Sequence, residues 1–187
     1  GETLIGYFGF LNASKGGEEL LRMLHRLQSA GVPARLLMIG GRTGSSDPTN
    51  QAYAARLERL AAGLEIRDRI RWTGYVTPAE VSAHLLAADC CVLPYRDGVS
   101  FRRGSLMAAL AHGRPVISTT PAVLLPELLP GENMVLVPPL APDALADAVQ
   151  LLRDDPALCA RLAAGAGRLA ESFHWDAIAR RTADFLA

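Results

Sequence analysis

Short apolar runs alternate with longer amphipathic stretches along the whole chain, and few folds accommodate that pattern. The runs occupy residues 4–10, 35–39, 70–72, 90–94, 115–118 and 135–137, each flanked by Gly, Pro, Asp or Asn. Continuous apolar runs of strand length suit strands covered on both faces, as inside a parallel sheet. Helix-like segments lie between and after them, at 16–30, 51–63, 78–88, 104–111, 142–153, 156–172 and 176–187. The first places Leu20, Leu21, Leu24 and Leu27 on one face and charges on the other. Strand–helix alternation with short links predicts an α/β domain, a Rossmann-like doubly wound parallel sheet of about six strands with helices on both faces.

The 187 residues suffice for one such domain, so 1–187 is read as a single unit. Lysine plus arginine balances aspartate plus glutamate at 19 each. A neutral domain carries no field for gathering nucleic acid, which disfavours that class of partner. Cys90 and Cys91 sit in an apolar run and read as small core residues; with Cys159 they form no paired framework, a usage suited to a reducing cytoplasm. No stretch approaches the ~20 apolar residues of a membrane span. The chain opens on Thr3-Leu4-Ile5-Gly6-Tyr7-Phe8, already strand-like, and is read as a domain excised from a longer protein.

Ligands of doubly wound sheets sit beyond the carboxyl ends of the strands, so the loops at 10–17, 40–49, 73–77, 95–103 and 119–123 are the places for chemistry. Residues 40–48 form the one long loop expected to be flexible. Gly9-Phe10-Leu11-Asn12-Ala13-Ser14-Lys15-Gly16-Gly17 follows a strand and opens a helix. Its backbone amides and Lys15 could cradle a phosphate; equally, Ser14 could cap a helix beside a solvated lysine. Arg102 and Arg103 precede a small-residue helix beginning at Gly104-Ser105. Cations at a helix start oppose the dipole by ~0.3–1 kcal/mol each, and an anion placed there reverses the sign. The alternative leaves one arginine in solvent and pairs the other with Asp97. His112, in the last turn of that helix, reads as a dipole partner rather than a catalyst. Glu127, near the mouth of the sheet, could accept hydrogen bonds from a ligand or cap a neighbouring helix. Phe173-His174-Trp175 reads as a packing corner. No Asp-x-Asp, no zinc-spaced Cys/His set and no Gly-x-Ser-x-Gly is present, so no metal site is expected.

Six segments, in order, resemble the carboxy-terminal domain of retaining GT-B glycosyltransferases of the family-4, group 1 type. Gly9-Phe10-Leu11 with Lys15-Gly16 is similar to Gly-Arg-Leu…Lys-Gly. Asp68-Arg69-Ile70-Arg71-Trp72-Thr73-Gly74-Tyr75-Val76 is similar to Asp-Arg-Val-x-Phe-x-Gly-x-Val. Ala88-Asp89-Cys90-Cys91-Val92-Leu93-Pro94 resembles Ala-Asp-x-x-Val-x-Pro. Ala109-Leu110-Ala111-His112-Gly113-Arg114-Pro115-Val116-Ile117 resembles Ala-Met-Ala-x-Gly-x-Pro-Val-Ile. Pro126-Glu127 with Gly131-Glu132-Asn133, and Phe173-His174-Trp175, complete the set.

The resemblance implies a domain that binds a nucleotide-diphosphate sugar for metal-independent transfer with retention, the sugar nucleotide being substrate and no cofactor being needed. It implies a missing amino-terminal domain that holds an acceptor of unknown identity and makes any membrane contact, so the isolated domain should not turn over. Lys15, Arg102, Arg103, Gly104 and Ser105 would bind the diphosphate. Gly9, Phe10, Gly74, Tyr75, Val76, Ser100, Phe101 and Glu127 would lie around the sugar and nucleotide. The family's paired glutamates fall on Ser100 and Ala108, neither acidic, and its first-loop arginine is Phe10. The reading that follows is a relocation of phosphate charge from the first loop to Arg102 and Arg103. The alternative is a degenerate domain that binds nucleotide or a protein partner without catalysis.

Overall fold

The strand at the centre, β1 (Thr3–Phe8), pairs in parallel with β2 (Ala34–Ile39) on one side and β4 (Cys90–Leu93) on the other. With β3 (Ile70–Trp72), β5 (Val116–Thr119) and β6 (Val135–Val137) the sheet is parallel throughout, in the order β3-β2-β1-β4-β5-β6. This computed structural model describes residues 1–41 and 48–186. Most of the loop expected to be flexible, residues 42–47, lies outside the described residues.

All four residues of β4 and all four of β5 are buried, because helices cover both faces of the sheet. Val, Ile, Leu and Cys fill such strands since neither face needs a water-compatible side chain. Among the described residues seven α-helices surround them: α1 (Gly17–Ser29), α2 (Pro48–Gly63), α3 (Pro78–Ala87), α4 (Gly104–Ala111), α5 (Pro142–Asp154), α6 (Pro156–Glu171) and α7 (Trp175–Leu186). α1 packs against α2 and α5, and α4 against α6. The stripe Leu20, Leu24 and Leu27 is fully buried, so truncating any one to alanine costs ~2–5 kcal/mol. Cys90 and Cys91 are core residues, and burial raises both thiols well above their ordinary range.

Sheet order reverses between β1 and β4, where consecutive crossovers leave in opposite directions. A crevice therefore opens beyond the carboxyl ends of these two strands. No helix among the described residues is long and apolar enough to cross a membrane. α7 buries none of its residues, and Trp175 at its start stands in solvent. The expected packing corner is thus partial: Phe173 holds, its ring centroid 4.7 Å from that of Phe101, while His174 and Trp175 face outward.

Candidate functional site

A cavity of about 750 Å³ occupies this crevice. Its floor is the exit of β1 at Phe8–Phe10, one wall is Gly40, Gly41, Tyr75 and Val76, and the opposite wall is Arg102–Ser105. Thr73 fastens the first wall: its hydroxyl accepts from the Gly40 amide at 3.0 Å and donates to the Gly74 carbonyl at 2.9 Å. Lys15, Arg102 and Arg103 all line the cavity, and no described lining residue is a carboxylate.

Two glycines bring Lys15 into place. Gly9 has φ 126°, and a β-carbon there would lie 3.3 Å from Lys15 Nζ and 3.8 Å from Ser105 Cβ. Lysine, first loop and the α4 start therefore meet at one point. Gly16 has φ 70°, and a β-carbon there would come within 2.0 Å of the Pro94 carbonyl oxygen, so the chain can pass this close to β4 only without a side chain. Burial, then the neighbouring charge of Arg103, lower the pKa of Lys15. Ser14 does not cap α1, as one sequence reading allowed; its hydroxyl donates to Asn12 Oδ1 at 2.9 Å, and Gly16 holds the cap position.

Residues 94–103 are held from two sides. The Arg96 amide donates to the Ser14 carbonyl at 2.9 Å, and the Thr119 hydroxyl donates to the Tyr95 carbonyl at 2.6 Å. Within this loop Arg103 pairs with Asp97 and lies over the Tyr95 ring, 4.8 Å from its centroid, while Arg102 is exposed. The pairing foreseen as the structural alternative is therefore real, yet both arginines also face the cavity. The Tyr95 hydroxyl shares a 2.7 Å hydrogen bond with Ser105 Oγ, and burial pushes its pKa up to about 12. Tyr7, buried beside it, is raised further. Both phenols stay neutral and serve as fixed hydrogen-bonding groups beneath the α4 start.

The helix starts on this rim are not equivalent. α1 carries Glu18 and Glu19 in its first turn, both buried and both paired with Arg96, whose guanidinium lies 3.0 Å from Glu19 and 3.7 Å from Glu18; Arg56 also holds Glu18, at 3.1 Å. α3 is closed by a capping box between Thr77 and Glu80. α4 has neither a side-chain cap nor an acidic residue in its first turn, and Arg103 itself stands at its N-cap. Its free amides and positive dipole end face the cavity through Gly104 and Ser105, the arrangement that receives anions. The Arg96 cluster escaped sequence reading. Its available signal was an acidic pair in a first turn that lacks a capping side chain.

Of the remaining residues singled out in the sequence, Gly9, Phe10, Tyr75 and Val76 line the cavity. Gly74, Ser100, Phe101 and Glu127 do not. Gly74 bridges to Gly40 behind the wall, the Ser100 carbonyl accepts from the Arg103 amide, Phe173 draws the Phe101 ring aside, and Glu127 is an exposed residue whose carbonyl accepts from Asn133. His112 and Ser82, not assigned to any ligand from sequence, line the far end.

Fold and crevice together define a Rossmann-like α/β domain whose mouth, at its switch point, is lined by three cations and by no carboxylate among the described residues. The sequence model described as "Glycosyl transferases group 1" matches residues 2–155, and the chain belongs to that family. It is 33% identical over 185 residues to the D-inositol 3-phosphate glycosyltransferase of Streptomyces avermitilis, covering 98% of this chain and 39% of that protein. The sucrose-phosphate synthase of Thermosynechococcus elongatus superposes with a TM-score of 0.82 at 28% identity, over 99% of this chain and 45% of that one. HepE of Anabaena, solved in complex with UDP-glucose, shares the fold with a TM-score of 0.82 at 19% identity, over 99% of this chain and 48% of that one. The chain spans about a third to two fifths of the length of the curated relatives it matches.

Proposed function

We propose that this domain binds the nucleotide-diphosphate sugar of a glycosyltransferase, with the diphosphate against Lys15, Arg102, Arg103 and the α4 start. The observation that carries the reading is a helix start with no cap and no acid, facing a cavity lined by three cations and no described carboxylate. Family membership and the UDP-glucose complex of HepE support it.

The reaction breaks the anomeric carbon–oxygen bond to the diphosphate and forms one to an acceptor hydroxyl oxygen, with retention and without a metal ion. Negative charge grows on the departing diphosphate. Preorganised cations and backbone amides, already held by Asp97, Tyr95 and Gly16, stabilise that charge without rearranging as it forms. The acceptor is held by a second domain of a longer protein, which also makes any membrane contact, and the whole works in the cytoplasm without a cofactor. Calorimetric titration with UDP, GDP and ADP, wild type against Arg102→Ala and Arg103→Ala, tests the donor site. Equal affinities in all three proteins would refute it.

The second reading is a nucleotide-binding domain without catalysis. Ser100 and Ala108 favour it, since neither supplies the carboxylate that the family resemblance implies at its position. Sugar transfer by the full-length protein, assayed with the nucleotide sugar that binds, separates the two.

A further inference from the structure

We propose that Tyr95 is a positioning residue for the diphosphate: its buried hydroxyl donates to Ser105 Oγ and so leaves the Ser105 proton to the ligand, while its ring carries Arg103. This rests on the donor-site reading above. Tyr95 is fully buried and does not line the cavity, so it touches no ligand itself. It touches two residues that do. The Arg103 guanidinium carbon lies over its ring, 4.8 Å from the centroid, and Ser105 Oγ lies 2.7 Å from its hydroxyl. The backbone of Tyr95 is fixed as well. Its amide donates to the Leu93 carbonyl at 3.0 Å, and its carbonyl accepts from the Thr119 hydroxyl at 2.6 Å.

Burial decides which of the two oxygens donates. Each hydroxyl has a single proton to give. If Ser105 gave its own, the phenol proton would need another acceptor in the core, and the Tyr95 hydroxyl has no other partner among the described residues. Tyr7, the phenol beside it, donates to the Phe10 carbonyl at 3.3 Å instead. A buried proton without an acceptor carries the full desolvation penalty. If Tyr95 donates, the proton left over belongs to Ser105, which lines the cavity, and a ligand or water takes it there. Burial pushes the phenol pKa up to about 12, so that donor is present at neutral pH. The Ser105 hydroxyl then joins Lys15. A β-carbon on Gly9 would lie 3.3 Å from Lys15 Nζ and 4.0 Å from Ser105 Oγ, so ammonium and hydroxyl border the same gap at the exit of β1. An oxyanion at that gap accepts from both, whereas an untethered hydroxyl would aim its proton there in about one of three staggered positions.

Calorimetry with UDP, GDP and ADP on wild type, Tyr95→Phe, Ser105→Ala, Ser105→Thr and the Tyr95→Phe, Ser105→Ala double variant tests this. For the diphosphate that wild type binds, Ser105→Ala should weaken affinity about tenfold, the low end for a charge-assisted bond, and Ser105→Thr, which keeps the hydroxyl, should stay within about twofold. Tyr95→Phe keeps the ring beneath Arg103 and should weaken binding about threefold, the loss of one fixed rotamer among three. Added to Ser105→Ala it should weaken binding no further, because it acts through Ser105. Ser105→Ala also strands the phenol proton and should lower the melting temperature, and adding Tyr95→Phe should recover part of that loss. A merely structural tyrosine would shift the melting temperature in Tyr95→Phe and leave affinity per folded molecule unchanged. Unchanged affinity in Tyr95→Phe therefore overturns the proposal, and so does an equal further loss when it is added to Ser105→Ala. Should Tyr95→Phe fail to fold, Ser105→Ala and Ser105→Thr keep the test decisive, since equal affinities in the two overturn it. If none of the three diphosphates binds wild type, the donor-site reading falls and this proposal with it; binding by wild type with additive losses removes this proposal alone.

Discussion

Arg103 lies over Tyr95, its guanidinium carbon 4.8 Å from the ring centroid, while Asp97 pairs with the same guanidinium. The arginine is thus aimed before any ligand arrives, and little of its rotamer freedom remains to be lost on binding. Arg103→Ala should weaken nucleoside-diphosphate binding by at least about tenfold, the low end for a charge-assisted bond. Its side chain is only 21% exposed, so the substitution should also cost about 1 kcal/mol of stability. Arg102→Ala, at an exposed position, should weaken binding with no measurable shift in a denaturant melt.

Lys15 gives the site a pH dependence. Burial and Arg103 hold its pKa below the ordinary lysine value, so the free crevice sheds this proton earlier on the alkaline side than a surface lysine does. A cation whose folded pKa is depressed costs stability while charged, and that cost disappears as pH rises through its folded value. A bound diphosphate favours the charged form. Affinity should therefore begin to fall at a pH below the ordinary lysine value in wild type, whereas Lys15→Gln should bind weakly throughout and show a flatter profile. Identical profiles would remove Lys15 from the site.

Gly16→Ala should lower stability by about 3 kcal/mol or more, because the added carbon meets the Pro94 carbonyl and the left-handed backbone penalises any side chain. A urea titration reads it directly.

Arg96 marks the contrast between a structural and a ligand-facing arginine. Arg96→Met should leave Glu19 buried without a counter-charge beside Glu18, which keeps Arg56, costing about 3 kcal/mol. Diphosphate affinity per folded molecule should change less than twofold, a small fraction of one hydrogen bond. An Arg96→Met protein that melts normally but binds tenfold more weakly would reverse these assignments.

Strand positions were legible because buried parallel strands write themselves as unbroken apolar runs. The expected strands at 70–72 and 135–137 and the helix at 104–111 coincide with β3, β6 and α4, and each other element shifts at one or both ends by one to three residues. The helix expected from 51 begins at Pro48, which can open a helix since its missing N–H is unneeded there. The cationic loop was legible because two arginines before a helix break a local electrostatic preference. Contacts between distant segments were not. Arg96 meets Glu19 across 77 residues, and His112 meets Ser82 across 30, and neither pair leaves a mark in spacing or periodicity. Phe101 was placed around the donor by the family resemblance, and only the fold brings Phe173 against its ring.

The chain's own carboxylates occupy the α1 start and close the α3 start, and this has a directional result. A two-ended ligand carrying phosphate at one end meets competition at those helices and none at α4. Its polarity along the crevice is therefore set by the scaffold before any base or sugar is inspected, and a reversed pose would take phosphate away from Lys15, Arg102 and Arg103. Exchanging the sugar or the base among donors would then leave the ligand's heading unaltered, so that selectivity can drift while the reacting bond keeps its address.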